Sequence, residues 1–224
     1  MPKTALGACR AAFNGWLTAG SASSACRSRA LPTMAGAGMS WMLAPVVLPG
    51  GMDNPVEIDW TEEGEVLGTA NIFYQKRGDT LVHWVRGGVY PRLDQPECLA
   101  EFPRTGEPLD AVHDFGHVAV SGCCFWRSFP TVNAEPRTLN FMVTHFNTQR
   151  VVRMELTPDS GTYKAVENEF LRLPDAPDVH FTDVMEDPRD GSLLVIDTGG
   201  WFRIGCPSSL MAKSDLLGAI YRVK

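Results

Sequence analysis

Three residues able to bind a ligand or move a proton open three similar segments at an even interval of 63 residues: Asn54, His117 and His180. The segments read Asn54-Pro55-Val56-Glu57-Ile58, His117-Val118-Ala119-Val120 and His180-Phe181-Thr182-Asp183-Val184. A neutral imidazole is a competent general base, because its unperturbed pKa of about 6.5 lies near working pH. Self-similarity at a fixed period signals a repeat architecture, in which residues distant in sequence converge on one axis. A polar residue leading into the innermost strand of each repeat would face that axis. The structural use of the same residues is to cap loop backbone groups around a wet channel. The known chemical fingerprints are absent: there is no GxGxxG, P-loop, GxSxG or HExxH. His83 and His113 have no partner at metal-ligand spacing, and no CxxC pair occurs.

Such residues need strands to position them, and strand patterns recur along the chain. Val56–Trp60, Glu65–Thr69, Leu81–Val85 and Cys98–Phe102 form the first predicted unit. Val118–Phe125, Leu139–His145, Arg150–Leu156 and Ala165–Leu171 form the second. Thr182–Met185, Ser192–Ile196 and Ala219–Val223 form the third, with Asp190-Gly191 as a hairpin signal. Trp41–Leu48 reads as a leading strand. Residues 1–40, rich in Ala, Ser, Gly and Arg, have no sustained period and are expected to be disordered, with order over 41–224. The fold class is therefore all-β, a partial β-propeller of about three four-stranded blades. Closed propellers have about 4–8 blades, and an open arc exposes sheet faces and edges. The expected partner is a second copy, two arcs pairing into a six-blade ring, or another propeller fragment.

Bulk composition narrows the function classes. The 224 residues are 44% hydrophobic and 21% charged with a net charge of −6, which leaves no electrostatic footprint for nucleic acid. Sixteen prolines and 21 glycines suit a chain with many turns. No run approaches the ~20 apolar residues that span a bilayer. The N-terminus reads as a poor secretory signal, since Arg27 and Arg29 interrupt the apolar stretch after Lys3 and Arg10. Of six cysteines, the vicinal Cys123 and Cys124 sit on one predicted strand, should face opposite ways, and read as packed thiols.

The third unit carries a resemblance. Asp183-Val184-Met185-Glu186-Asp187, the run Asp190-Gly191-Ser192-Leu193-Leu194-Val195-Ile196-Asp197-Thr198-Gly199-Gly200-Trp201-Phe202 and the closing Gly218-Ala219-Ile220-Tyr221-Arg222 look like one family. Asn54–Trp60, Phe115–Ala119 and His145–Arg150 fit it too. The family is the membrane-bound dehydrogenase-type β-propeller of planctomycetes and related bacteria, similar to soluble quinoprotein glucose and sorbosone dehydrogenases. The resemblance covers residues 42–224 and corresponds to the C-terminal part of that propeller. It implies oxidation of a sugar or polyol hydroxyl, with pyrroloquinoline quinone as cofactor and calcium as its companion ion. It also implies a periplasmic or extracellular location.

By this resemblance His117 or His180 is the catalytic base. Asn54, His145, Arg150 and Arg203 are the cofactor-binding candidates. Arg150 and Arg203 would hold the cofactor carboxylates, the chemistry for which a guanidinium fork is suited. Asp183 and Asp197 are the carboxylates considered for calcium or for catalysis. An Asx turn accounts for Asp197 before Thr198-Gly199-Gly200. Glu186, Asp187 and Asp190 read as solvated turn residues without calcium-loop spacing. Trp201, Phe202 and Trp126 with Arg127 offer an aromatic shelf or inter-blade packing. The covalent haem motif CxxCH is absent. The rival reading is a non-catalytic propeller fragment that binds a glycan or a protein.

Overall fold

The computed structural model describes residues 49–50, 52, 54–72, 78–90, 97, 100, 103, 105–129, 138–173, 179–200 and 215–224. They form three antiparallel sheets. The first is β1 (Asn54–Trp60), β2 (Val66–Asn71), β3 (Asp79–His83) and β4 (His113–Gly116), in that spatial order. The second is β5 (Val120–Phe125), β6 (Leu139–His145), β7 (Arg150–Asp159) and β8 (Thr162–Arg172). The third is β9 (Phe181–Glu186), β10 (Leu193–Asp197) and β11 (Ala219–Val223). This is the all-β architecture expected, three meandering sheets of a partial β-propeller. No helix among the described residues is long and apolar enough to cross a membrane.

The second sheet is the middle of the stack. Strand β6, Leu-Asn-Phe-Met-Val-Thr-His, is apolar on both faces because both are covered. One face carries Phe141 and Val143, which pack with Leu67, Leu81 and Phe115 of the first sheet. The other carries Met142, which packs with Phe181, Val184, Leu193 and Val195 of the third. The two cysteines divide as their alternation requires: Cys123 lies in the first of these cores and Cys124 in the second. Burial, with nearby carboxylates adding to it, pushes both thiols well above their ordinary value.

Two sequence expectations are corrected here. The fourth strand of the first sheet is His113–Gly116, paired with β3, and not Cys98–Phe102. Most of the latter segment, like Trp41–Leu48, lies outside the described residues. Strand β1 alternates as expected, but its faces are reversed from a simple apolar-in reading. Glu57 and Asp59 turn toward the second sheet, whereas Ile58 and Trp60 are 51% and 46% exposed. The physical reason is that β5 presents backbone amides there, and a carboxylate satisfies an amide where an alkyl group cannot.

Candidate active site

The innermost strands run side by side in the same direction. Glu57 accepts from the Cys123 amide at 3.2 Å, and Asp59, two residues on, accepts from the Phe125 amide at 2.8 Å. Gly122 lies against Asp183, and Glu186 farther along β9 accepts from the Arg127 amide at 2.8 Å. Advancing together in this way makes β1, β5 and β9 parallel neighbours. Their leading ends, where Asn54, His117 and His180 stand, therefore lie at the same end of the stack. Asn54 and His117 are exposed and His180 is half-buried.

The loop that leads into β5 is held by a residue the sequence did not single out. Buried Asp79, at the start of β3, accepts from the amides of Val118 at 3.1 Å and Ala119 at 2.6 Å with one oxygen, and from Ile72 at 2.9 Å with the other. Ala119 has a φ of 52°, a left-handed conformation that a residue with a Cβ adopts at a cost. Its carbonyl accepts from the Phe146 amide at 3.0 Å and that of Val118 from Asn147 at 3.0 Å. The lead-in loop is thus stitched on one side to β3 and on the other to the β6–β7 turn.

The third sheet repeats the device with its own turn. Asp197 accepts from the His180 amide at 3.0 Å and from Gly199 at 2.8 Å, the expected Asx turn with an added partner. The His180 ring is fixed twice. Its Nδ1 lies 3.0 Å from the Gly199 carbonyl, and its plane lies over Phe146, with centroids 4.4 Å apart and tilted by 33°. Phe146 and Gly199 are, with Asp79, the site residues that reading single segments missed. The signal for Phe146 was its place beside His145, the residue that drew attention instead.

His145 and Arg150 flank the β6–β7 turn and are engaged by partners of their own. His145 is fully buried, edge-on to Phe115 at 4.9 Å, between the first and second sheets. Arg150 lies 3.4 Å from His145 Nδ1 and reaches Glu167 and Glu169 of β8 at 3.5 and 3.7 Å. Glu167 also pairs with His113 at 3.0 Å. Arg150 would hold a cofactor carboxylate by exchanging these partners for it. Arg203 lies outside the described residues, as do Trp201 and Phe202. Trp126 is core: it is buried at the trailing end of β5, donates to the Gly191 carbonyl at 2.8 Å and packs on Phe129 and Phe170.

Burial, reinforced by Arg150 and His113, pushes the His145 imidazole down to about 3. In the unfolded chain the same group titrates near 6.5. Below that pH the unfolded state takes up a proton that the native state refuses. The contribution is whole above about pH 6.5 and drains by up to about 1.4 kcal/mol per pH unit as pH falls toward 3. Urea midpoints of the parent and of His145→Phe, compared from pH 7 to pH 4, should show the parent losing stability relative to the variant as pH falls. Parallel lines would contradict a buried neutral imidazole.

The β9–β10 hairpin corrects another expectation. Asp187 is not a solvated turn residue: it is 3% exposed and takes Arg189 at 2.6 Å and Arg222 at 3.0 Å. The Arg189 side chain holds its carboxyl far below the usual range. Glu186 accepts from the Arg127 and Ser128 amides. Among the described residues no three His, Cys, Asp or Glu side chains gather as a metal site.

Cavities of about 330 Å³ and 230 Å³ lie at the other end of the sheets, the larger lined by Val85–Val89 and Thr105–Leu109. Size alone would favour the larger as a binding site. Among the described residues its charged lining is Arg86 and Glu107, whereas the leading ends carry two imidazoles, an asparagine, and a strained, over-determined loop, the usual mark of a functional segment.

No protein-family model matches this sequence, and no curated protein does. Solved structures are similar to this chain. One is an oxidoreductase of Thermus thermophilus described as a glucose dehydrogenase, with a TM-score of 0.56 and 16% identity over 80% of this chain and 46% of its own. Another is the aldose sugar dehydrogenase of Streptomyces coelicolor in its pyrroloquinoline quinone-bound form, at a TM-score of 0.49 and 16% identity, covering 84% of this chain and 48% of its own. The chain thus spans about half the length of the solved structures it resembles, and what it shares with the Thermus protein is the fold.

Proposed function

We propose that the leading end of the inner strands is the active site of a sugar or polyol dehydrogenase, with His180 as the base. The observation that carries this reading is the fixed imidazole, stacked on Phe146 with Nδ1 on the Gly199 carbonyl. A carbonyl only accepts, so Nδ1 holds the proton of the neutral ring and Nε2 holds the lone pair. Oxidation of a hydroxyl-bearing carbon releases a hydride from carbon and a proton from oxygen. The proton goes to His180 Nε2. A quinone-type cofactor such as pyrroloquinoline quinone would, when bound, supply the acceptor for the hydride. Exposed His117 and Asn54, at the neighbouring leading ends, would hydrogen-bond other hydroxyls of the substrate. The fold shared with the Thermus protein and the sequence resemblance over residues 42–224 support the assignment.

The test adds pyrroloquinoline quinone and calcium to the protein and follows quinone absorbance and sugar-dependent dye reduction. His180→Asn should bind quinone and lose turnover by about 10²–10⁴-fold, the usual contribution of a positioned base. Equal turnover in His180→Asn and parent would remove His180 and leave His117 as the base. A protein that binds no quinone and reduces no dye would overturn the dehydrogenase reading in favour of a non-catalytic fragment that binds a glycan or a protein.

A further inference from the structure

The connection between β3 and β4 runs over residues 84–112, a length at which connections are commonly functional. Two of its described stretches, 85–89 and 105–109, meet around the cavity of about 330 Å³. The first stretch is fixed by its own bonds. Gly88 donates to the Val85 carbonyl at 2.9 Å, closing a turn in which Gly87 has a φ of 77°. The buried Tyr90 phenol accepts from the Val85 amide at 2.8 Å and donates to the His83 carbonyl. Its ring stands edge-on to Trp84 at 4.9 Å, and its amide donates to the Gly50 carbonyl at 2.9 Å. The two stretches touch where Gly88 has no side chain: a Cβ there would lie 2.9 Å from Leu109 Cδ1. A wall fixed before a ligand arrives costs little to order on binding.

We infer that this cavity binds a small monocarboxylate with an apolar body, at a site separate from the leading end. Volume sets the size. An apolar cavity of about 150 Å³ takes one benzene, so roughly twice that space takes two fused rings or a chain of similar bulk. The walls set the body. Val85, Val89, Pro103, Pro108 and Leu109 line the cavity, and Val85 and Leu109 are left 38% and 41% exposed. A ligand seated between them takes that apolar surface out of water. Charge sets the head group. Of the two charged residues in the lining, Glu107 has an interaction of its own, whereas exposed Arg86 has no hydrogen-bond or ion-pair partner among the described residues. A guanidinium with all its donors to spare, beside apolar walls, takes a carboxylate through two parallel bonds.

Titration with naphthoate, followed by amide NMR spectra without quinone or sugar, tests this apart from any catalytic role. The signals of Gly87, Gly88 and Gly106, all in the lining, should shift and saturate with a Kd of about 1 mM or tighter, the range open to a ligand of this size. Arg86→Gln should raise the Kd about 5-fold, the loss expected for an exposed charge pair. Arg86→Lys, which keeps the charge without the fork, should fall between that variant and the parent. Val85→Trp should fill the cavity and abolish saturation. Val85 is partly exposed, and a circular dichroism melt matching the parent's would show that this variant folds. No shift of the three glycines at ten times the expected Kd overturns the proposal. A Kd that Arg86→Gln leaves unchanged overturns it as well, and so does full binding by a folded Val85→Trp protein.

Discussion

Asp79→Ala is expected to lower the unfolding free energy by roughly 3–5 kcal/mol. Its carboxylate accepts from three backbone amides, Ile72, Val118 and Ala119, of which the first two are buried bonds. A buried amide left unsatisfied costs about 1–3 kcal/mol, and water entering the gap recovers part of the sum. Asp79→Asn keeps one acceptor and turns an NH₂ group toward amides that need an oxygen, so it should fall between the alanine variant and the parent. Urea unfolding monitored by tryptophan fluorescence measures both. Because the same oxygen holds Ala119 in its left-handed conformation, the alanine variant should also loosen the loop beside His117. Hydrogen exchange at residues 117–119 should rise before global unfolding does. An alanine variant as stable as the parent would mean that Asp79 does not secure this loop.

Gly122→Val is the second large effect, and its origin is steric. A Cβ at Gly122 would lie 2.4 Å from the Cα of Asp183 and 2.9 Å from the Val184 amide nitrogen. Both are backbone atoms of β9, so no rotamer change relieves the clash, and the second and third sheets must part. Overpacking of this kind costs about 1–3 kcal/mol, and more where backbone must move. Valine adds two methyl groups to the misfit, so its loss should exceed that of Gly122→Ala. Gly106→Ala is the control: a Cβ there meets nothing within 4 Å, and its stability should stay within about 0.5 kcal/mol of the parent. A Gly122→Val protein with the parent's urea midpoint would refute the close approach of β5 and β9.

Several elements were legible from local pattern because local physics makes them. Leu139–His145 and Ala219–Val223 match their predicted bounds, each an apolar-rich run between turn residues. The Asp190-Gly191 signal lies at a turn, with Gly191 at a φ of 70°. The lone Cys123-Cys124 pair divides between two cores because successive strand side chains alternate. By contrast, β4 has four residues, His-Asp-Phe-Gly, with Phe115 alone buried. No periodicity can mark so short a strand; its pairing with β3 across some thirty residues of chain does.

The site divides along the same line. That Asn54, His117 and His180 begin equivalent strands follows from repeated sequence, since equal segments fold into equal units. That their ends lie together follows only from β1, β5 and β9 packing in parallel, through bonds between residues 66 apart such as Asp59 and Phe125. The burial of His145, the capture of Arg150 by Glu167 and the role of Asp79 are likewise contacts between strands or sheets. Alternation and turn chemistry are written in neighbouring residues, and so can be read from the chain. The partner of a charge or an amide is chosen by which surfaces meet after collapse, and a side chain's neighbours in sequence carry no record of that choice.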